Sequence, residues 1–372
     1  MSRVTLVFEY PTLFGGEMSL LAALPALQHA GFEMTALAPA PSPLAAALAE
    51  HGVRVTPFRW RDDQQRRPLA ELRADLATFL QQQRPVIVHA NSLSSGRVLG
   101  PVASELQLPS LAHLRDILGL KQQALTDLNR HGCLVAVSQA TRDFHVAQGL
   151  DASRVRVVYN GVDLARFHPR ERSGWLHREL GIPADAPLVG TIGQISLRKG
   201  QDVFLAAARR VAEENDAAQF VIVGSRYSEK EESRLFEARL HAMAAEPPLH
   251  GRVHFLGLRD SIEQLLPELS LLVHTARQEP LGRVLLEAAA CGLPVVATDV
   301  GGTWEIFPAD SGAALLVSSD DPPATGQGIA ALLADQPSSS RMGNRARATI
   351  ETRFDARTAG DNLAEIYREL AG

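Results

Sequence analysis

Short apolar runs alternate with helical patterns along almost the whole chain, and this alternation restricts the fold more than any other feature. The runs that predict buried strands lie at residues 4–8, 33–37, 53–58, 86–90, 110–113, 133–137 and 155–159, and again at 188–192, 220–223, 253–256, 271–274, 295–298 and 313–316. Strands that alternate with helices form parallel sheets through right-handed crossovers. The sequence therefore predicts an α/β chain with two doubly wound domains.

Helical patterns occupy the intervals at residues 18–30, 43–51, 68–83, 97–106 and 139–147, and at 201–214, 229–245, 262–266, 282–290 and 326–333. The stretch 163–187 combines prolines and charges with weak periodicity, which is typical of a linker. We therefore expect an N-terminal domain over residues 1–165, a second domain over residues 166–350 and a terminal helix within residues 351–372.

Composition and charge exclude several classes of protein. Hydrophobic residues make up 45% of the 372-residue chain and the mean hydropathy is −0.04, values typical of a globular protein large enough for two cores. A net charge of −5 gives no basic footprint for nucleic acid, so nucleic acid is not expected as a partner. The two cysteines form no disulfide framework, which suits a reducing compartment.

The first apolar run is broken by Glu9, too early for a signal peptide, and no run of 18 apolar residues occurs. These features predict a cytoplasmic location. Phe58, Trp60 and the arginines around them leave open a peripheral contact with the inner face of a membrane. The neighbouring acids Asp62 and Asp63 offset the positive charge of this segment and favour a solvated loop.

Two acids, Glu279 and Glu287, stand eight positions apart, one in a predicted loop and the other inside the helix that follows. Both carboxylates can therefore face one pocket and bind hydroxyl groups. The backbone amides of Leu281, Gly282 and Arg283 would point out of the helix N-terminus, where unpaired donors and the helix dipole favour a phosphate oxygen. A nucleotide sugar carries both hydroxyls and phosphate and would satisfy both halves of such a site.

An ordinary buried helix is the alternative, because acids at this separation are common. The sequence after the helix favours a binding site. Gly292 and Pro294 stop the helix, residues 295–298 predict a short buried strand, and Gly301 and Gly302 form a second glycine loop. These parts then lie at the carboxyl edge of a parallel sheet, where open sheets bind ligands.

Two other turns between a strand and a helix contain glycine. Gly15 and Gly16 would let a backbone approach a diphosphate or a sugar, although such pairs are also frequent as plain turns. The turn at residues 193–200 contains Arg198 and Lys199. These two residues either neutralise a diphosphate or form a solvated charge pair. The loop that contains Glu279 is predicted at the same edge of the sheet and favours phosphate binding. The chain lacks G-x-G-x-x-G and G-x-x-x-x-G-K-[ST], so dehydrogenase and P-loop functions lose their main support.

His113 ends a predicted strand and so falls near the crevice edge, and His89 lies within the predicted strand at residues 86–90. Each is either a structural histidine or a ligand contact. The 12 histidines form neither H-E-x-x-H nor a Cys/His cluster with zinc spacing, and no Asp-x-Asp occurs. We therefore expect no metal ion and no other cofactor.

Together these motifs resemble the retaining GT-B glycosyltransferases of the large family four, which includes sucrose synthases and many bacterial hexosyltransferases. The resemblance covers nearly the whole chain, through residues 15–17, 138, 159–163, 193–200, 255–257, 279–287, 292–298, 301–302 and 305. The fold that it implies has two Rossmann-like doubly wound domains facing across a cleft. A C-terminal helix would return to the N-terminal domain, which would be the acceptor side.

By position, the resemblance places Glu279 beside the donor sugar and Glu287 on the ribose. Leu281 and Gly282 would offer backbone amides to sugar or phosphate, with Arg283 next to them at the helix N-terminus. Each of these residues would bind the donor.

The resemblance also implies roles for residues outside that block. Arg198 and Lys199 occupy positions that resemble the diphosphate clamp, the pair of basic residues that binds the diphosphate. His113 occupies the position where the family has a histidine contacting the transferred sugar. Residues 15–16 would face the phosphates from the other domain, and Gly257 begins the loop that approaches the nucleobase. The implied catalytic residues are His113, Glu279, Arg198 and Lys199.

Three positions depart from the family pattern. Gln194 stands where many members have a diphosphate-binding arginine, so the clamp depends on Arg198 and Lys199. Trp304 replaces a frequent proline before Glu305. Asn91 replaces a frequent second histidine, which puts acceptor contacts in doubt.

The resemblance implies metal-independent transfer of a hexose or N-acetylhexosamine from a nucleoside diphosphate sugar to an acceptor hydroxyl. The configuration would be retained by front-face attack assisted by the leaving phosphate. The acceptor is left open as a glycan, a lipid-linked molecule or a small molecule. Two alternatives stand beside this one: a sugar-nucleotide 2-epimerase of GT-B shape, which would need acid/base residues around C2, and a non-catalytic nucleotide-sugar sensor, which the Gln194 departure favours.

Overall fold

The computed structural model describes residues 2–63 and 65–372. The chain divides into two compact units. One comprises the N-terminal part through Asp163 together with Phe354–Gly372, and the other comprises Leu164–Arg353. Each unit contains one parallel sheet with helices packed on its faces.

The first unit is built on a seven-stranded sheet in the order β3-β2-β1-β6-β7-β8-β9. Its strands are β1 (Ser2–Val7), β2 (Phe32–Ala38), β3 (Arg54–Pro57), β6 (Ile87–Ala90), β7 (Ser110–Leu114), β8 (Cys133–Ala136) and β9 (Val155–Val157). A separate hairpin pairs β4 (Arg61–Asp62) with β5 (Gln65–Arg66). The order of strands reverses between β1 and β6, the position at which open parallel sheets bind ligands.

The helices described in this unit are α1 (Gly15–His29), α2 (Pro43–Glu50), α3 (Leu69–Gln83), α4 (Leu93–Glu105), α5 (Gln122–Leu128), α6 (Gln139–Ala147) and α15 (Ala356–Ala371). Three of these helices have a serine as N-cap: Ser42 for α2, Ser92 for α4 and Ser138 for α6. The side-chain oxygen of each serine accepts a hydrogen bond from the backbone amide three residues further along the chain. Backbone bonds of Val162 with Phe354 and Ala356 fix the start of α15.

Alternate residues of β1 point to opposite faces of the sheet, as the pleat requires. Val4 and Leu6 belong to a core shared with α1, α2 and α15, whereas Val7 belongs to a core shared with α3, α4 and α5. Both faces of the sheet are therefore covered, which explains why its strands are almost wholly apolar. The strongly amphipathic α15 contributes Leu363, Ile366 and other buried residues to the first of these cores.

The second unit has a six-stranded parallel sheet in the order β12-β11-β10-β13-β14-β15. Its strands are β10 (Leu188–Ile192), β11 (Gln219–Val223), β12 (Val253–Gly257), β13 (Leu271–His274), β14 (Val295–Thr298) and β15 (Leu315–Val317). Its helices are α7 (Trp175–Leu180), α8 (Gln201–Glu214), α9 (Glu231–Ala245), α10 (Ile262–Leu265), α11 (Arg283–Ala290), α12 (Thr303–Ile306), α13 (Pro322–Ala334) and α14 (Gln336–Arg353). Here the order of strands reverses between β10 and β13.

The predicted α/β class with two Rossmann-like parallel sheets is confirmed, and every predicted strand is present. Four helices, α5, α7, α12 and α14, were not predicted. Of these, α14 buries only a narrow stripe of small or apolar residues, which gives little periodicity. The predicted linker at 163–187 contains α7, and all of it after Asp163 belongs to the second unit, Leu164–Arg353.

Three predicted helices begin earlier than expected, because their N-termini are polar or small and carry no apolar period. α1 begins at Gly15, so the glycine pair lies in its first turn and not in a turn before it. α4 begins at Leu93, after a capping box formed by Ser92 and Ser95. α13 begins at Pro322, after Asp321.

Candidate active site

The carboxyl end of β13 leads into an acid loop in the second unit. Its last residue, His274, is buried, and Glu279 lies five residues further on, also buried. Nε2 of His274 donates a hydrogen bond to Oε2 of Glu279 at 2.8 Å, and the ammonium group of Lys199 donates to the same oxygen. Two donors from different loops therefore hold one carboxylate.

The electrostatics of this group keep the carboxylate ionised. Burial alone would raise the pKa of Glu279, but the charge of Lys199 and the hydrogen bond from His274 outweigh it and lower that pKa well below its usual range. Burial lowers the pKa of His274, although its bond to Glu279 opposes this. Near neutral pH, Glu279 is therefore an ionised acceptor and His274 a neutral imidazole.

Helix α11 starts directly after the acid loop. Its N-cap, Gly282, has a φ of 99°, and a Cβ there would lie 2.7 Å from Cδ1 of Leu285, so glycine is required. No described residue accepts a hydrogen bond from the backbone amides of Leu281, Gly282 or Arg283. The amide of Gly302 donates to the carbonyl of Glu279 at 3.0 Å, so the structure brings the second glycine loop to the first.

Glu287 lies one turn inside α11 and is largely buried. Its Oε1 accepts a hydrogen bond from Nε of Arg283 at 2.5 Å. Nη1 of Arg283 is buried and has no hydrogen-bond partner among the described residues. The pair therefore leaves one guanidinium nitrogen for another acceptor.

The turn after β10 meets the acid loop. Gly200 has a φ of 67°, and a Cβ there would lie 2.0 Å from the carbonyl oxygen of Thr275, so the two backbones touch. The amide of Arg277 donates to the carbonyl of Arg198 at 2.8 Å, and Nη1 of Arg198 lies 3.3 Å from the carbonyl of Gln278. The structure thus brings Arg198 and Lys199 to Glu279, as the parallel sheet predicts.

Gly257 ends β12 at the same carboxyl edge, but three strands from β13. Its φ is 63°, and its carbonyl accepts a hydrogen bond from the amide of Gly224 at 2.8 Å. Gly257 is therefore near the edge of the site and not part of the charged group around Glu279.

In the first unit, Gly16 lies against Arg115, because a Cβ at Gly16 would be 2.8 Å from Cδ of that arginine. Gly15 is exposed at the start of α1. Nη2 of Arg115 donates to Oδ1 of Asn91 at 2.8 Å, and Nη1 donates to Oδ1 of Asn160 at 2.8 Å. Asn91 thus holds the arginine that packs against Gly16.

His113 lies at the carboxyl end of β7 and lines a cavity of about 20 Å³ together with Arg115 and Asn160. Its Nδ1 is 2.6 Å from Nε2 of His89, whose Nδ1 is 2.6 Å from Oη of Tyr367. Burial, with a smaller effect of the Arg115 charge, holds the pKa of His89 and of His113 well below the usual value. Both imidazoles are therefore neutral.

Sequence reasoning missed the roles of three residues. His274 was recognisable only as the last residue of a strand before the acid loop. Arg115 follows His113 closely and stands near the end of β7, which is a weak signal. Tyr367 lies in α15, more than 250 positions from its partner His89, so no local pattern could have shown it.

Within residues 2–63 and 65–372, no group of three His, Cys, Asp or Glu side chains is placed to hold a metal ion. None of the helices described is long and apolar enough to cross a membrane.

Two family models match the chain. Residues 15–166 match the model described as Glycosyltransferase Family 4, and residues 175–349 match the model described as Glycosyl transferases group 1. With the two Rossmann-like sheets, these matches define the class: the chain belongs to the GT-B glycosyltransferases. More particularly, its first unit is of the family 4 type and its second unit is of the group 1 type.

The chain is similar to several characterised proteins. It is 28% identical to spore coat protein SA of Bacillus subtilis over 58% of this chain and 59% of the relative. It is 31% identical to D-inositol 3-phosphate glycosyltransferase of Xylanimonas cellulosilytica over 59% of this chain and 52% of the relative, so the match spans little more than half of either. Anabaena HepE, solved with UDP-glucose, is 25% identical with a TM-score of 0.86, covering 99% of this chain and 100% of HepE.

Proposed function

We propose that the protein transfers a hexose or an N-acetylhexosamine from a nucleoside diphosphate sugar to an acceptor hydroxyl, with retention of configuration and without a metal ion. One observation carries the proposal: the ionised Glu279 carboxylate, held by Lys199 and His274, lies beside backbone amides at the start of α11 that have no acceptor in the part of the chain that the structure describes. A carboxylate accepts hydrogen bonds from sugar hydroxyls, whereas free amides at a helix N-terminus suit a phosphate.

The same groups fit the charge changes of glycosyl transfer. Breaking the anomeric bond builds negative charge on the departing diphosphate, and fixed cations and amide dipoles stabilise that charge. Arg198 and Lys199 supply the cations, and residues 281–283 supply the amides. Retention follows in the proposal because the leaving phosphate assists attack from the same face.

The similarity to HepE makes uridine nucleotides the first donors to test, because HepE has been solved with both UDP and UDP-glucose. A thermal-shift screen of UDP-glucose, UDP-N-acetylglucosamine and GDP-mannose would identify the base and the sugar. A ligand at 100 times its Kd stabilises the folded state by about 2.7 kcal/mol, which is readily measured.

The function itself is tested by incubating the protein with each donor and measuring nucleoside diphosphate release. Release, even to water, supports a transferase. A changed sugar at constant nucleotide would support a 2-epimerase, and binding with neither change would support a sensor.

Retention and metal independence need their own measurements. Proton NMR recorded within minutes of donor cleavage should show the sugar in the donor's own anomeric configuration, before mutarotation. Excess EDTA should leave the rate unchanged. The inverted anomer, or loss of activity restored by Mg²⁺ or Mn²⁺, would contradict these two parts of the proposal.

The acceptor and the location are also proposals. A glycan, a lipid-linked molecule and a small phosphorylated polyol such as D-inositol 3-phosphate are the acceptor classes to supply, the last because of the name of one relative. We place the protein in the cytoplasm. Phe58 and Trp60, the aromatic residues that left a membrane contact open, are buried in the core, so peripheral attachment depends on the arginines alone and is tested by flotation with anionic vesicles.

A further inference from the structure

The chain of hydrogen bonds from Tyr367 through His89 to His113 can run in only two directions. Both histidines are neutral, so each carries one ring proton, and each of the two bonds needs one donor and one acceptor. In the first arrangement, Tyr367 donates to Nδ1 of His89, and Nε2 of His89 donates to Nδ1 of His113. In the second arrangement, both bonds are reversed.

The two arrangements differ in what happens to the tyrosine proton. Tyr367 is fully buried, and among the described residues its hydroxyl contacts no hydrogen-bonding group except His89. In the reversed arrangement, His89 would use its Nδ1 proton on the tyrosine oxygen, and the hydroxyl proton would have no acceptor. A buried donor without an acceptor is costly, so the first arrangement is favoured.

The first arrangement leaves His113 with its only proton on Nε2. Its Nδ1 is occupied as an acceptor, and the ring lines the small cavity next to Arg115. The donors of Arg115 are directed to Asn91 and Asn160, which lie in the same region.

We propose that Tyr367 and His89 are positioning residues that hold the His113 ring with its proton on Nε2, so that His113 offers a hydrogen-bond donor to a ligand oxygen. His113 then polarises or orients that oxygen and does not act as a base. The inference rests on the proposed function only in placing His113 at the bound sugar.

The tautomer of His113 is tested directly by NMR of the ¹⁵N-histidine-labelled protein. Two-bond correlations within the ring distinguish a proton on Nε2 from one on Nδ1, and a His113→Gln variant assigns the signals. We expect the Nε2–H tautomer in the wild-type protein. A wild-type His113 with its proton on Nδ1 would overturn the proposal.

The Tyr367→Phe variant tests the source of the preference. It keeps the ring that packs edge-on against Phe32, with centroids 5.2 Å apart, and removes only the hydroxyl. Without the hydroxyl, Nδ1 of His89 has no partner in either arrangement, so the preference for the first should weaken and a fraction of His113 should carry its proton on Nδ1. An unchanged tautomer would show that Tyr367 does not set the direction of the chain.

The kinetic measurement separates positioning from stability. We expect Tyr367→Phe to lower kcat for donor turnover by roughly tenfold with little change in KM for the donor, because the hydroxyl acts through His113. Thr5→Val is the matched control, since Thr5 is buried in the same sheet and, within residues 2–63 and 65–372, its hydroxyl bonds to Thr35 alone. Thr5→Val should lower the Tm similarly and leave kcat unchanged.

Conservative rescue gives a second check. The amide nitrogen of a glutamine can donate where Nε2 of His89 does, so His89→Gln should keep more turnover than His89→Leu. Equal losses in the two variants would favour a packing role for His89. If the wild-type protein released no diphosphate from any donor, the proposed function would fail, while the NMR measurement would still decide the tautomer.

Discussion

The carboxyl edges of the two sheets carry different kinds of site. In the second unit, the edge is charged: Glu279 is buried with Lys199, and Arg198 and Arg283 lie on the same loops. In the first unit, the two histidines at the edge are neutral, because burial holds His89 and His113 as uncharged imidazoles. The two edges therefore differ in the charge carried by these buried groups.

The two edges also differ in how their residues come together. The charged site is assembled from two short segments, residues 197–200 and 274–287, which lie at the ends of the neighbouring strands β10 and β13. The neutral site joins His89 and His113 to Tyr367, a residue of α15. A site of the first kind leaves a local motif in the sequence, whereas a site of the second kind does not.

The largest expected effect is on the charged edge. Glu279→Ala should lower turnover per folded molecule by about 10²-fold, in line with the loss of one positioned electrostatic contact. It also leaves Lys199 without its carboxylate, and breaking a buried ion pair typically costs about 3–5 kcal/mol. Turnover is therefore measured together with the folded fraction, by donor cleavage and circular dichroism.

Glu268→Ala is the matched control for Glu279→Ala. Glu268 is buried in the same unit, and its Oε1 accepts hydrogen bonds from the amide and hydroxyl of Ser173, both at 2.8 Å. Its replacement should lower stability and leave turnover per folded molecule unchanged. Equal kinetic losses in the two variants would show that Glu279 acts only through folding.

Arg198→Ala should weaken donor binding more than it weakens the fold. A hydrogen bond to a charged group contributes about 1.5–3 kcal/mol, which is about 10- to 100-fold in Kd. Within the unit, Nη1 of Arg198 makes only a long bond of 3.3 Å to the carbonyl of Gln278, so the Tm should change little. Calorimetry with UDP and thermal unfolding measure the two quantities.

Arg209→Ala provides the control for Arg198→Ala. Arg209 lies on α8 and pairs with Glu246 at 2.5 Å. The Arg209→Ala variant should bind UDP with an unchanged Kd. If Arg198→Ala weakened UDP binding and lowered the Tm to a similar degree, Arg198 would have a structural role.

The sequence predicted the charged edge better than the neutral one for a physical reason. The glycines at 200 and 282, the bases at 198 and 199 and the acid at 279 follow β10 and β13 directly, and Glu287 lies in the helix that starts there. The order of the strands therefore brings them together. His274 escaped prediction because a histidine at a strand end looks like any buried histidine. Tyr367 escaped because its contact depends on how α15 packs against α1, which no pattern within the helix reveals.

The pH dependence of stability tests whether histidines of the first unit are buried in the neutral form. Burial lowers the pKa of His131 to about 4, while the carbonyl of Gly96, which accepts from its Nε2, opposes the shift. An unfolded histidine has a pKa of about 6.5, so between pH 6.5 and 4 the unfolded chain binds a proton that the folded chain does not. The stability from this neutral group is complete above pH 6.5 and falls as the pH decreases.

The His131→Gln variant isolates this contribution. The difference in unfolding free energy between wild type and variant should shrink by about 2 kcal/mol from pH 7.5 to pH 5, as linkage with those two pKa values requires. Trp60 is buried in the first unit, so its fluorescence reports unfolding there once Trp175 and Trp304 are replaced by Phe. A difference independent of pH would mean that His131 is not buried as a neutral ring.

The smallest expected effect concerns Gln194, at a position where the resemblance to family four leads us to expect a diphosphate-binding arginine. Its carbonyl accepts a hydrogen bond from Nε2 of Gln201 at 2.9 Å, so the backbone of the turn is fixed whatever side chain residue 194 carries. Gln194→Arg should therefore add a cation beside Arg198 and Lys199 without moving them. An exposed charge pair contributes about 0.2–1 kcal/mol, so Kd for UDP should decrease by at most about fivefold, and by less at high salt.

Gln194→Leu is the neutral control for this variant. An equal Kd in the arginine and leucine variants would mean that residue 194 does not face the diphosphate. The charged edge would then depend on Arg198, Lys199 and the amides of residues 281–283 alone.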